Sequence, residues 1–229
     1  MAKPTHAFYC FQVLHTKIVQ HRSPLSYSEW ASENGLEISD GEEEYPLFVT
    51  WDIKPKPSSS ARLRGCIGNF EPMPLGEGLQ EYALISALRD RRFDPIVEKE
   101  IPKLECGVSL LMDFEICSTW DDWDLGVHGI YIHFQNPDLH PPSIPSPHPP
   151  STKLRGPARL DLPNTMSATF LPDVAPAQGW DKQTTLDSAI RKAGYRGSIT
   201  DPVRESVRVT RYRSSKSNAT WEEWVEWQK

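Results

Sequence analysis

Residues 63–70 read Leu63-Arg64-Gly65-Cys66-Ile67-Gly68-Asn69-Phe70, which puts a guanidinium, a thiol and two glycines into what reads as a β-strand. Side chains alternate across a strand, so Leu63 and Ile67 share one face while Arg64, Cys66 and Gly68 share the other. On that reading Arg64 stands beside Cys66, where it could hold an anion or favour a thiolate. A glycine inside a strand marks a bulge or a close backbone approach. Gly65 and Gly68 therefore admit two readings: access of a ligand to Cys66, or tight packing around a small buried thiol.

His128 lies in Gly126-Val127-His128-Gly129, a glycine-flanked turn ahead of a strand. A Cys/His pair would supply a nucleophile and its base, but a loop histidine can equally be structural or exposed, and nothing in the spacing brings Cys66 and His128 together. Arg92 follows Asp90 at a helix exit, where the pair can lock a turn or line a site. Ser109, on the polar side of a strand, could face the same cavity or satisfy a backbone group. Asp181 and Asp187 could bring a carboxylate to a site, although capping the helix around Thr185 fits better. The candidate catalytic residues are thus Cys66 and His128, and the candidate ligand-binding residues are Arg64, Gly65, Gly68, Ser109 and Arg92.

The elements that must position these groups can be read from periodicity. Residues 5–20 repeat Phe8, Phe11, Val13, Leu14 and Ile18 at helical spacing. Ser26 to Glu29 has capping-box spacing, as does Thr220 to Glu223 ahead of Trp221, Trp224 and Val225. Residues 47–53 alternate as a half-buried strand, and a loop over 54–61 leads to the segment around Cys66. A helix over 76–90 follows, then strands over 104–117, 129–134 and 167–171, a helix over 185–193 and a strand over 207–212. On the strand over 104–117, Cys106, Val108, Leu110, Met112, Phe114 and Ile116 fall on one face. Alternating strands with one buried face indicate an antiparallel sheet, and the mixed order indicates an α+β domain.

The string Leu-Arg-Gly-Cys-Ile-Gly over 63–68 is joined in order by Tyr-Pro-Leu-Phe-Val-Thr-Trp over 45–51 and Ser-Ala-Leu-Arg-Asp-Arg-Arg-Phe-Asp-Pro over 86–95. Further matches are Gly-Val-His-Gly-Ile over 126–130, Phe-Leu-Pro-Asp-Val-Ala over 170–175 and Gln-Gly-Trp-Asp over 178–181. In these motifs the chain resembles the AMMECR1 domain family, and its eukaryotic branch, over nearly the whole length. The resemblance implies a mainly antiparallel sheet flanked by helices, with a larger and a smaller lobe, in a single domain over 1–229. It also implies a tight strand connection where this chain has residues 136–163, which hold nine of the 21 prolines and read as an inserted, flexible loop. A Pro-x-x-Pro spacing over 141–145 in that loop admits an SH3-type partner. Members of the family are suspected of RNA modification. The resemblance implies a fold more firmly than an activity.

The composition is that of a globular chain, with 38% hydrophobic and 24% charged residues and a net charge of −6. That charge opposes non-specific nucleic-acid binding by the whole surface, although residues 190–216 hold eight Lys/Arg against Asp201 and Glu205. Those cations either form a patch for an anion or pair with Glu42–Glu44 or Asp121–Asp122. Cys10, Cys66, Cys106 and Cys117 show no metal spacing and read as free thiols. No apolar run approaches a membrane span and no secretory leader is visible, which points to the cytoplasm or nucleus. No phosphate loop, dinucleotide motif or serine elbow occurs, so a cofactor-free protein is expected. Two readings follow. One is an enzyme of open specificity using Cys66. The other is a binding or scaffold protein using the groove around residues 63–70 and the proline-rich loop, with a small molecule, a protein or RNA as partner.

Overall fold

The computed structural model describes residues 1–54, 60–139 and 165–229. Its elements run α1 (Pro4–Ile18), α2 (Tyr27–Glu33), β1 (Glu44–Ile53), β2 (Arg62–Pro74), α3 (Leu75–Leu88), β3 (Leu104–Ile116), β4 (Gly129–Gln135) and β5 (Thr165–Phe170). They continue with α4 (Val174–Gln178), α5 (Lys182–Lys192), α6 (Asp201–Glu205), β6 (Arg208–Thr220) and α7 (Trp221–Trp227). The strand order is β2-β1-β3-β6-β4-β5. Strand β1 pairs antiparallel with β2 and β3, and β4 pairs antiparallel with β5 and β6. This is the α+β, mainly antiparallel architecture expected from the alternation. Among the described residues no helix is long and apolar enough to cross a membrane.

The chain divides into two compact units, Met1–Met112 with Ser215–Lys229, and Asp113–Ser214. In the first unit α1 buries Ala7, Tyr9, Cys10, Phe11, Val13 and Leu14. Phe11 meets Trp51 of β1 edge-on at 5.1 Å, and it stacks on Trp224 of α7 at 6.1 Å. Trp51 also donates its indole N–H to the Ala83 carbonyl of α3 at 3.0 Å, so an aromatic group bridges sheet and helix with its polar atom satisfied. Helix α7 opens on the expected box, with Thr220 Oγ1 accepting from Glu223 N and Thr220 N donating to Glu223 Oε2. Its buried Trp224 docks as expected. At the start of α1, His6 is buried, and its Nδ1 accepts from Lys3 N. Among the described residues its Nε2 has no partner, and burial lowers its pKa to about 4.

In the second unit the core is built from Ile130, Ile132 and Phe134 of β4, Leu186, Ala189 and Ile190 of α5, and Val209 of β6. Asp181 caps α5, accepting from Thr184 N at 2.7 Å, and Asp187 pairs with Arg204 at 2.8 Å.

Three sequence expectations change. The alternation of β3 holds for Cys106, Val108 and Leu110, but Phe114 is 42% and Ile116 83% exposed. Asp113 has φ 54°, a left-handed residue that interrupts the strand's two-residue period. Strand β6 continues to Thr220, eight residues beyond the expected end, through a polar run with no hydrophobic alternation to reveal it. The short helices α4 and α6 have only five residues each, too few for a periodic signal. Of the proline-rich segment, residues 140–163 and with them the Pro-x-x-Pro spacing lie outside the described residues, as do 55–59 of the expected loop. Asn136, its first residue, is only 1% exposed and accepts from Asp138 N at 3.0 Å, so it belongs to the fold.

Candidate functional site

Strand β2 stands at the end of the strand order, so among the described residues one side of it has no strand neighbour. Cys66 lies opposite Thr50 of β1, and its backbone groups point to the unpaired side. Both are satisfied by the turn that leaves α3. Cys66 N donates to Asp90 Oδ2 at 2.9 Å, and Arg92 Nη2 donates to Cys66 O at 3.0 Å. Arg92 also holds Asp90, through Nε to Oδ1 at 3.0 Å and Nη2 to Oδ2 at 2.7 Å. The turn thus offers one acceptor and one donor to one residue of the edge, as a neighbouring strand would. Asp90 is 5% exposed, and the Arg92 guanidinium beside it brings its carboxyl down to about 2.

The two glycines are explained by this packing. A Cβ on Gly65 would lie 2.0 Å from the Ser86 carbonyl oxygen at the end of α3. A Cβ on Gly68 would lie 2.2 Å from the Leu47 carbonyl oxygen of β1. Both obstacles are backbone, which cannot swing aside as a long side chain does.

Arg64 is not placed as simple alternation suggests. Trp51 faces Gly65 and Asp52 faces Leu63, so Arg64 is the extra residue of a β-bulge. Its guanidinium turns to Glu100, with Nε to Oε1 at 2.9 Å and Nη2 to Oε2 at 3.0 Å, and Nη1 donates to the Asp94 carbonyl at 2.6 Å. The expected picture of Arg64 over the thiol is corrected: the guanidinium beside Cys66 belongs to Arg92. Ser109 is buried opposite Phe48, which faces Gly68 on its other side. Ser109 and Gly68 therefore share a cross-strand row, next to the row of Cys66, Thr50 and Gly107.

The Cys66 thiol accepts from the Thr50 hydroxyl at 3.1 Å. Burial pushes it up from the ordinary thiol value, outweighing the opposing effects of that hydroxyl and the Arg92 charge.

His128 belongs to the second unit, and Cys66 to the first. Its Nδ1 accepts from Asp124 N at 3.0 Å, and its own N–H donates to Asp124 O at 2.9 Å, which closes a turn through Gly126 at φ 77°. Of the basic segment, Arg191 donates to the Tyr195 and Gly197 carbonyls. Arg204 pairs with Asp187 and Asp201, and Arg211 pairs with Glu115 and Asp122. Among the described residues no group of three or more His, Cys, Asp or Glu gathers as metal ligands.

Beside the Cys66 edge, Arg62, Leu63, Arg64, Arg91, Arg92 and Phe93 line an open cavity of about 560 Å³. Arg62, Arg91 and Phe93 carry no individual signal in the sequence. The hints were the density of arginine over 89–92 and the string over 86–95, which contains Arg91 and Phe93.

An uncharacterised protein of Arabidopsis thaliana is 39% identical over 223 residues, covering 97% of this chain and 87% of that one. An uncharacterised protein of Saccharomyces cerevisiae is 33% identical over 243 residues, covering 95% and 86%. The crystal structure of an uncharacterised protein from Pyrococcus horikoshii matches with a TM-score of 0.59 at 22% identity, covering 94% of this chain and 92% of that chain, and shares the fold. The family model AMMECR1 matches residues 7–217. Matched over nearly all of its length, the chain belongs to the AMMECR1 family.

Proposed function

We propose that this protein is a binding module whose recognition surface is the face formed by the start of β2 and the turn after α3 that covers its edge, and that Cys66 supports that surface without acting as a nucleophile. The observation that carries this reading is the setting of the thiol, hydrogen-bonded to the Thr50 hydroxyl with the nearby Arg92 guanidinium held by Asp90. A catalytic cysteine needs a thiolate, which a base or a dominant positive charge must favour. Here burial prevails and raises the thiol. Its hydrogen-bonding neighbour is a threonine hydroxyl, and Arg92 is already engaged by Asp90. Held by Asp90 and Arg92 from one side and Thr50 from the other, the segment is rigid, which lowers the entropic cost of binding.

The test is the pH dependence of alkylation at each cysteine of the native protein, resolved by mass spectrometry. The expected result is an apparent pKa for Cys66 at or above the roughly 8.5 of a free thiol. An apparent pKa well below that value, with the rate lost on His128→Ala, would overturn the reading and restore an enzyme with Cys66 as nucleophile and His128 as base.

A further inference from the structure

Four guanidinium groups, those of Arg62, Arg64, Arg91 and Arg92, border the cavity beside the β2 edge. Two of them are neutralised from behind, Arg64 by Glu100 and Arg92 by Asp90. Arg62 and Arg91 are exposed, and among the described residues neither makes an ion pair or a side-chain hydrogen bond. Among the described residues Asp94 is the single carboxylate of the lining. The Asp94 backbone carbonyl is turned to Arg64. An anion entering the cavity thus meets two uncommitted guanidinium groups, in a chain whose net charge is −6. A local positive site on an acidic molecule concentrates anions there.

The shape adds a second requirement. Leu63 and Phe93 form an apolar wall, and the Arg92 guanidinium sits 5.4 Å from the Phe93 ring centre, which fixes that ring's position. A volume of about 560 Å³ is in the range of small-molecule sites. Guanidinium forks pair bidentately with phosphate and with carboxylate oxygens, and two uncommitted cations at one site suit the dianionic phosphate better than a single carboxylate.

We propose that this cavity binds a phosphate-bearing small molecule, with the phosphate held by Arg62 and Arg91 and the apolar body against Leu63 and Phe93. The proposal rests on the binding-module reading above and names the ligand class for it. A nucleic-acid strand is disfavoured, because among the described residues Phe93 is the only aromatic side chain of the lining and strand binding needs a succession of stacking surfaces.

The test uses the full chain, with AMP, inorganic pyrophosphate and adenosine titrated separately and followed by amide shifts in nuclear magnetic resonance. AMP and pyrophosphate at millimolar concentration are expected to shift amides of residues 62–64 and 91–94, and adenosine is not. The double variant Arg62→Ala/Arg91→Ala is expected to weaken both by about tenfold or more, and added salt to weaken them further, since charge-assisted contacts dominate. Both residues are exposed, so the variant keeps its fold, which an unchanged melting temperature checks. Arg196→Ala in the other unit is the control and should bind normally. Absence of shifts with both phosphate probes overturns the proposal, as does binding that the double variant leaves intact. Tighter binding of an oligoribonucleotide than of AMP at the same amides overturns the small-molecule class in favour of RNA. The two readings fail separately. A null titration with a neutral Cys66 sinks only the ligand class, whereas AMP binding beside a low-pKa Cys66 sinks only the non-catalytic reading.

Discussion

The segments around Cys66 and around His128 look alike in sequence: each sets one reactive side chain between glycines. In the fold they are secured in opposite ways. Cys66 is fixed by Thr50, Asp90 and Arg92, which are 16, 24 and 26 residues away. His128 is fixed by Asp124, four residues away, in a turn that closes on itself. The glycines differ in the same sense. Gly65 is required by the backbone of a distant helix, whereas Gly126 is required by its own φ of 77°. A residue fixed over long range reports on the whole unit around it, and one fixed locally reports on its turn. That contrast makes the Cys66 edge the better place to look for a surface shaped by selection.

The contrast can be broken at several points. Gly65→Ala should have the largest effect, about 3 kcal/mol or more of stability, because the added methyl meets a backbone oxygen that cannot move alone. A melting temperature within a degree or two of the parent would show that α3 can retreat and that the edge is loosely built. Asp90→Ala should cost about 2 kcal/mol, since it leaves the Cys66 N–H and the Arg92 guanidinium unpaired. The same carboxylate sets an acid limit. Its folded pKa lies below the unfolded value of roughly 3.9, so its contribution is present above that pH and is lost as the pH falls toward about 2. Denaturant titrations between those limits should show the loss in the parent and a flatter profile in Asp90→Ala.

Gly126→Ala should cost about 1 kcal/mol, the ordinary penalty for a side chain in the left-handed region partly offset by a stiffer unfolded chain. His128→Ala should cost about 0.5–1 kcal/mol, the worth of one exposed turn hydrogen bond, and should leave the alkylation rate of Cys66 unchanged. A change in that rate would show that the two segments are coupled after all.

Much of this was legible from residue types and spacing. The helix α1, the strands β1 and β4 and both capping boxes emerged from local pattern, because periodicity and capping are local physics. What stayed hidden depended on distant partners. No pattern announces that Arg64 would become a bulge and turn to Glu100, 36 residues away. The polar half of β6 reads as loop because ladder hydrogen bonds, not apolar side chains, hold it. The burial of Phe114 and Ile116 failed on a single dihedral, at Asp113. For the candidate site, Cys66, Gly65 and Gly68 stood out in the string itself, and the Arg62 and Arg91 rim became visible only once the turn after α3 lay against β2.

The turn at Asp90 and Arg92 has one more consequence. An open strand edge is adhesive, because a strand from any other chain can pair with it. At Cys66 this one is already occupied, by a carboxylate and a guanidinium imitating the next strand. Self-association by strand addition would have to evict an ion pair with a buried carboxylate first, so the turn works as a chain terminator for the sheet. Acid that protonates Asp90 would remove the terminator, and the molecule would gain a sticky side where it had a finished one.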